Sequence, residues 1–391
     1  MKPVDKRVPR LWVVLLPTLF FLATAGAPML AGEPTDESAA LQEATFLSRT
    51  RQLTFEGVRA GEGYFTPDGS KMVFQSEREP GNPFFQIYVM DMESGDTRRI
   101  SPGHGKTTCA FFRGETGQII FASSHSDPRS AEYQQAEYDR RAEGRERRYT
   151  WDYDPEMELY VYEPEGETLR RLTHARGYDA EASYSPNGKW IVFTSMRSGY
   201  EGKLEETNRK QLEIDPSVFA EIYVMRADGS KVKRLTHVRG YDGGPFFSPD
   251  GKRIVWRRFD EEGLRADVWS MKMDGTDQRP LTDFGCMSWA PYTHPSGEYV
   301  LFTSNKLGFA NFELFIVDAE GLKEPVRVTY TDGFDGLPVP TPDGTGLAWT
   351  STRRSQGKGQ IFMAKWNHAK AQEALRQAPA RKPSGAGSEK P

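Results

Sequence analysis

"GGPFFSPDGKRIVW" occupies Gly243 to Trp256. Two stretches that alternate apolar and polar residues flank the corner Ser248-Pro249-Asp250-Gly251. Proline fixes φ and Asp-Gly turns the chain tightly, so the string reads as a β-hairpin. The hairpin is not unique in this chain. Aligned on its last aromatic, it recurs as "YFTPDGSKMVF" ending at Phe74 and "FFRGETGQIIF" ending at Phe121. It returns as "SYSPNGKWIVF" at Phe193, "YTHPSGEYVLF" at Phe302 and "VPTPDGTGLAW" at Trp349. With the copy at Trp256 that makes six, none with an internal gap.

Each copy continues alike. An alternating segment follows: "QIYVMD" from Gln86, "ELYVYE" from Glu158, "EIYVMR" from Glu221, "DVWSMK" from Asp267, "ELFIVD" from Glu313 and "QIFMAK" from Gln360. This is the period of a half-buried strand. A short fourth segment then ends in "RRIS" (Arg98–Ser101), "RRLT" (Arg170–Thr173), "KRLT" (Lys233–Thr236), "RPLT" (Arg279–Thr282) or "VRVT" (Val326–Thr329). Repetition at this period, with four strands to a unit, predicts an all-β fold: a six-bladed β-propeller of four-stranded antiparallel blades. The sixth copy lacks its fourth segment, while a spare "RQLT" (Arg51–Thr54) precedes the first. Ring closure by this N-terminal strand accounts for both and leaves no open sheet edge.

"SPDGKRIVW", "SPNGKWIVFTS", "EIYVMRADGS" and "KRLT" resemble the TolB-type propeller repeat of exported bacterial proteins. The resemblance covers Thr50 to Trp366 and implies the six-bladed fold. It carries less about function, because one propeller scaffold serves many roles. TolB also has an α/β domain before its propeller. Here about 25 residues separate the expected leader from Arg51, too few for such a domain.

The chain has 391 residues and a net charge of −4, with acids and bases interspersed. Neither charge nor any basic block points to nucleic acid. Lys2, Lys6, Arg7 and Arg10 precede an apolar run from Leu11 to Ala25, and Ala23-Thr24-Ala25 fits a cleavage site. Residues 1–25 therefore read as a secretory signal peptide, with an uncleaved anchor as the rival. Residues 26–49 are an N-terminal extension, 50–367 the propeller, and 368–391 a short helix followed by a disordered Pro/Gly/Ser-rich tail. The expected location is the periplasm or the exterior, with no membrane span after cleavage and a monomeric state. Cys109 and Cys286 fall in blades 2 and 5, across the ring from one another, too far apart for a disulfide.

Propeller topology assigns the loops to faces. Connections from strand 2 to strand 3, and from the fourth strand to the next blade, share one face, here called the top. Two of them are long: Ser126 to Pro155 in blade 2 and Ser198 to Phe219 in blade 3. Long loops in a compact domain are commonly functional. Ser130 to Arg148 has helical composition, and Tyr149, Trp151 and Tyr153 supply aromatics suited to a partner. Between blades, "GYDAEA" (Gly177–Ala182), "GYDGGP" (Gly240–Pro245) and "GFDGLP" (Gly333–Pro338) set Asp179, Asp242 and Asp335 fourteen residues before the aligned aromatic. With Tyr178 and Tyr241 they form either an acidic rim around the channel or local loop braces. Arg197, Arg257 and Arg353 follow the second strand and either face a ligand carboxylate or pair within the loops.

Catalytic signatures are lacking. "GHGKTT" (Gly103–Thr108) has no first glycine of a phosphate loop, and there is no G-x-S-x-G or H-E-x-x-H. The sequence thus points to a binding module whose partner is an envelope protein or a peptide segment. It needs no cofactor, although a Ca²⁺ at the channel mouth is conceivable from the three aspartates. The alternatives are a propeller lyase acting on acidic oligosaccharides and an accessory module of a peptidase.

Overall fold

The computed structural model describes residues 36–144, 153–354 and 357–382. The signal-peptide region, the tail beyond residue 382, Tyr149 and Trp151 lie outside the described residues. Among the described residues no helix is long and apolar enough to cross a membrane.

Six four-stranded antiparallel sheets form the six blades, five of them built from consecutive strands. The sixth runs, from the axis outward, Asp335–Pro340, Gly346–Ser351, Gln360–Trp366 and then Leu47–Gln52. The N-terminal strand therefore closes the ring, with Gln52 opposite Phe362 and Leu53 N–H donating to Ile361 C=O at 2.8 Å. The pairing begins at Leu47, four residues earlier than "RQLT". Phe46 extends the clasp by stacking on Trp366, ring centroids 5.9 Å apart.

The repeat has a physical reason at each of its positions. The aligned aromatics Phe74, Phe121, Phe193, Trp256, Phe302 and Trp349 are at most 1% exposed and fill the space between blades. Burying side chains of this size supplies much of the apolar stabilisation. At the corners, Asp68, Asn187, Asp250 and Asp343 each accept the backbone N–H two residues on, at 3.0–3.1 Å. Gly251 follows at φ 71°, a conformation that favours glycine.

The terminal Ser or Thr of the fourth strand explains "RLT". Its hydroxyl accepts an N–H of the third strand at 2.9 Å in all six blades: Thr54 from Ile361, Ser101 from Ile87, Thr173 from Leu159, Thr236 from Ile222, Thr282 from Val268 and Thr329 from Leu314. The same hydroxyl donates to the residue that opens the third strand, as Ser101 does to Gln86 and Thr282 to Asp267. In three blades the arginine of the motif pairs with that residue too: Arg171 with Glu158, Arg234 with Glu221 and Arg327 with Glu313. A short outer strand that forms few ladder bonds is thus fastened by its side chains.

Helix Ser130–Ala142 lies inside the expected span but has no side-chain N-cap; Arg129 occupies the cap position. Helix His368–Gln377 follows the last strand and is capped by the Asn367 side chain. Both cysteines are free.

Candidate functional site

The innermost strands, Arg59–Phe65, Thr107–Phe112, Ala180–Tyr184, Asp242–Phe247, Ser288–Thr293 and Asp335–Pro340, surround the central axis. Each breaks register with its neighbour at the same point. There one residue takes a left-handed conformation: Glu62, Cys109, Glu181, Gly244, Ala290 and Leu337, at φ 51–59°. These are β-bulges, which re-aim a side chain. They stand twelve residues before the aligned aromatic in every copy. All of them line one cavity of about 1210 Å³, Gly244 through its backbone.

Two residues further along each strand the channel closes. Tyr64, Phe111, Phe246 and Tyr292 converge on the axis, with Tyr64 5.4 Å from Phe246 on the opposite blade and 5.3 Å from Phe111. Phe246 and Tyr292 lie 5.0 Å apart. The site is therefore a cup open at the top, with an aromatic floor.

Its walls differ. Blades 5 and 6 contribute Ala290, Leu337 and the packed rings of Trp289, Phe312 and Phe334, with Phe312 and Phe334 5.6 Å apart. Blades 1 to 4 contribute Glu62, Cys109, Glu181 and Arg257. The first residue past the aligned aromatic faces the cup as Gln75, Arg257 and Thr350, and in several blades this residue caps a bulge of the next. Gln75 accepts the Cys109 N–H at 3.2 Å, Thr303 that of Leu337 at 3.0 Å and Thr350 that of Glu62 at 3.3 Å. Blade 4 has Arg257 at this position, which cannot accept. It turns back instead to Glu181 at 2.7 Å and to the Tyr241 hydroxyl at 2.6 Å. Glu181 also accepts from the Gly244 N–H at 2.6 Å, from Thr194 at 3.1 Å and from the Tyr241 hydroxyl.

Burial, followed by the charge of Glu181, raises the Glu62 pKa to about 7, while the Cys109 thiol and Arg257 pull it down. Burial and the charges of Glu62 and Glu181 push the Cys109 thiol well up, so it is protonated and a poor nucleophile at neutral pH. Burial likewise raises Tyr178, Tyr241 and Tyr153.

Asp179, Asp242 and Asp335 do not form an open acidic rim. They are at most 1% exposed, and each is held by an arginine. Arg197 pairs with Asp179, Arg258 grips Asp242 through two bonds at 2.7 and 2.8 Å, and Arg353 meets Asp335 at 2.5 Å. Arg353 also binds Glu43 of helix Asp36–Glu43 at 2.7 Å, tying the N-terminal segment to blade 6. This arrangement favours bracing, because a carboxylate already paired and desolvated has little left for a partner. Three convergent oxygens for Ca²⁺ are not available from these side chains. Tyr178, Tyr241, Tyr153 and Arg257, by contrast, gather around Glu181. Tyr153 stands edge-on to Tyr178 at 5.2 Å and to Tyr241 at 5.5 Å. Arg257 faces the cup and leaves Asp242 to Arg258.

The blade 2 helix leans over blade 1. Arg141 bonds Glu77 at 2.5 Å and Pro83 C=O at 2.8 Å, and Gln134 bonds Gly81 C=O at 3.1 Å. It brings Glu137, Arg140 and Arg141 to the cup mouth. Helix Glu206–Ile214 of blade 3 lies instead beside the next loop, where Asn208 accepts from Arg239 at 2.9 Å. The two helices thus diverge and do not form one wall. Glu62, Cys109 and Glu181 were missed as a set in the sequence. The alignment that exposed the aspartates contained the signal two residues further on, where the copies vary most in charge and size.

No family model matches the chain. It is 30% identical to an uncharacterized protein of Agrobacterium fabrum over 122 residues, 31% of this chain and 34% of that protein. It is 27% identical to a TolB homologue of Chlorobium luteolum across 25% of this chain and 28% of that one. The chain thus spans about a third or less of the length of these curated relatives. The crystal structure of TolB from Acinetobacter baumannii superposes with a TM-score of 0.51 at 15% identity, covering 83% of this chain and 65% of that one. That likeness is one of fold.

Proposed function

We propose that this TolB-like six-bladed propeller is an exported binding module that receives a peptide segment of a cell-envelope protein in the cup of its top face. One observation carries the reading: a closed-bottomed cup with one polar and one aromatic wall, beneath a rim that carries most of the exposed apolar side chains. Phe55, Ile214, Val238, Leu264, Leu307 and Phe309 are 42–79% or 80% exposed and all sit on top-face connections. Among the described residues only Val232 and Leu322 of this kind belong to bottom-face turns. Apolar side chains gathered on one face suit a protein partner. Within the cup, Arg257 and Tyr178 shape the polar wall with Tyr241 and Tyr153 packed behind it, and Glu62 and Glu181 give it charge. The aspartates and their arginines hold the loops that place these groups. The apolar run from Leu11 to Ala25 supports export to the periplasm or beyond.

A pull-down from envelope extract, with the full chain and with a variant lacking residues 126–155, tests the reading. A partner captured by the full chain and lost with the loop supports it; capture by neither form overturns it. The lyase reading is disfavoured because a polyanionic sugar would meet Glu62 and Glu181, while the basic side chains lining the cup are already engaged, Arg257 by Glu181, Arg59 by Glu77, Arg140 and Arg141 by Glu137, and Lys106 by Asp154. An unsaturated product from an acidic oligosaccharide would reinstate it.

A further inference from the structure

Resting on that binding reading, we infer that the cup holds a basic side chain of the bound segment, the ammonium of lysine or the guanidinium of arginine, with Glu62 as its counter-ion. The argument comes from two carboxylates at equivalent positions on the same ring. Glu181 is saturated: Arg257, Tyr241, Thr194 and the Gly244 amide all donate to it. Among the described residues, the Glu62 carboxylate has only Cys109 as a hydrogen-bonding partner, through its thiol at 3.5 and 3.7 Å and its backbone N–H. A thiol is a weak donor and carries no charge. A half-buried carboxylate without a cation beside it is costly, and a ligand cation relieves that cost.

The local charges agree. Glu181 and Arg257 are the charges that act on Glu62. The other basic side chains of the cavity are engaged elsewhere, Arg59 with Glu77, Arg140 and Arg141 with Glu137, and Lys106 with Asp154, and Lys358 has an interaction of its own. The groups facing Glu62 are Tyr64 on its own strand, Cys109 from blade 2, Glu181 from blade 3 and Arg257 from blade 4. Arg59, also on its own strand, is taken by Glu77 at 2.9 Å. An anionic group would be repelled by both acids, and a neutral one would leave Glu62 as it stands. Trp289, Phe312 and Phe334 line the aromatic wall of the same cavity, an apolar surface for the alkyl stem of a long basic side chain. Gly244, Ala290 and Leu337 have no charge to compete for it.

The test is to pan a random-peptide phage library on the immobilised full-length protein and on its Glu62→Gln variant. Wild-type clones that lose binding to a Leu337→Trp variant, and so occupy the cup, should be enriched in lysine or arginine beside an apolar residue. Synthetic versions should bind Glu62→Gln about tenfold more weakly, with replacement of the basic residue by norleucine costing wild type as much and the variant little. The wild-type affinity should also fall as pH drops below about 7, where Glu62 takes up its proton. This last measurement needs no variant. Cup-directed clones without a basic residue, equal affinity for both proteins, or a flat pH profile each overturn the inference while leaving the binding reading intact. No cup-directed clone at all overturns both.

Discussion

Arg257, on the second strand of blade 4, lies 2.7 Å from Glu181 of blade 3 and crosses the backbone of Gly244 to reach it. Both partners are about 5% exposed. Buried ion pairs are poor sources of net stability, but removing one partner strands the other. Arg257→Met alone should therefore cost about 3 kcal/mol, and Arg257→Met with Glu181→Gln much less than the sum of the two single changes. A double-mutant cycle by urea denaturation measures this, and additive losses would show the pair to be uncoupled.

Gly244 is the space that Arg257 needs. A Cβ there would stand 2.2 Å from the Arg257 Nη1, at a φ of 59°. Gly297→Ala, on an open turn at φ 76°, meets no atom within 4 Å and serves as the control for backbone strain. Gly244→Ala should lower stability by about 2 kcal/mol more than Gly297→Ala, and Arg257→Ala should reduce that excess. Equal losses at the two glycines would contradict the contact.

The ring is closed at Thr54, which is 2% exposed, donates to Gln360 at 2.7 Å and accepts the Ile361 N–H at 2.9 Å. Thr54→Val should cost about 2 kcal/mol, as should its counterpart Thr236→Val in blade 3. Only Thr54→Val should open the N-terminal strand to trypsin at Arg49 and Arg51. Limited proteolysis followed by mass spectrometry reads the difference.

Glu62 gives a stability signature with a definite sign. Its pKa rises from 4.5 to about 7 on folding. Between those values the folded state holds the extra proton, so stability falls as pH rises through this window. Glu221 and Glu313 are raised to about 7 as well, by burial, and contribute in the same direction. The difference between wild type and Glu62→Gln isolates the first group. It should grow on the order of 2 kcal/mol from pH 4.5 to 7 and then level off. Denaturation curves across pH measure it, and a constant difference would show Glu62 to be solvated.

Asp179 separates bracing from binding. Asp179→Ala leaves Arg197 buried without its carboxylate and should cost about 3 kcal/mol. Affinity for a cup-directed peptide should change less than twofold in the protein that remains folded. A large loss of affinity at unchanged stability would return Asp179 to the binding surface.

Blade number, strand order and ring closure were legible because each rests on repetition. Six aromatics, six hairpin corners and a displaced "RQLT" need no knowledge of contacts. The fourth-strand threonines were legible as a motif but not as a clasp, since the third-strand amides they accept are fourteen or fifteen residues away within a blade and 307 for Thr54. The aspartates were found for their pattern, but the pattern left open whether they brace loops or face a partner. Recurrence marks what the fold requires, and what the fold requires is mostly structural. The cup was hidden for the opposite reason: its bulge residues share a position but, apart from Glu62 and Glu181, no chemistry.

Sequence by itself determined the propeller, because period, turn chemistry and alternation are local properties that add up around a ring. Only the tertiary structure decided which side chains meet at the axis. Bulges there turn one residue per blade inward, an aromatic floor shuts the channel, and Arg257 chooses Glu181 over the aspartate beside it. Those outcomes depend on distances between separate blades and on which charges are left without water, and no stretch of a single strand contains either.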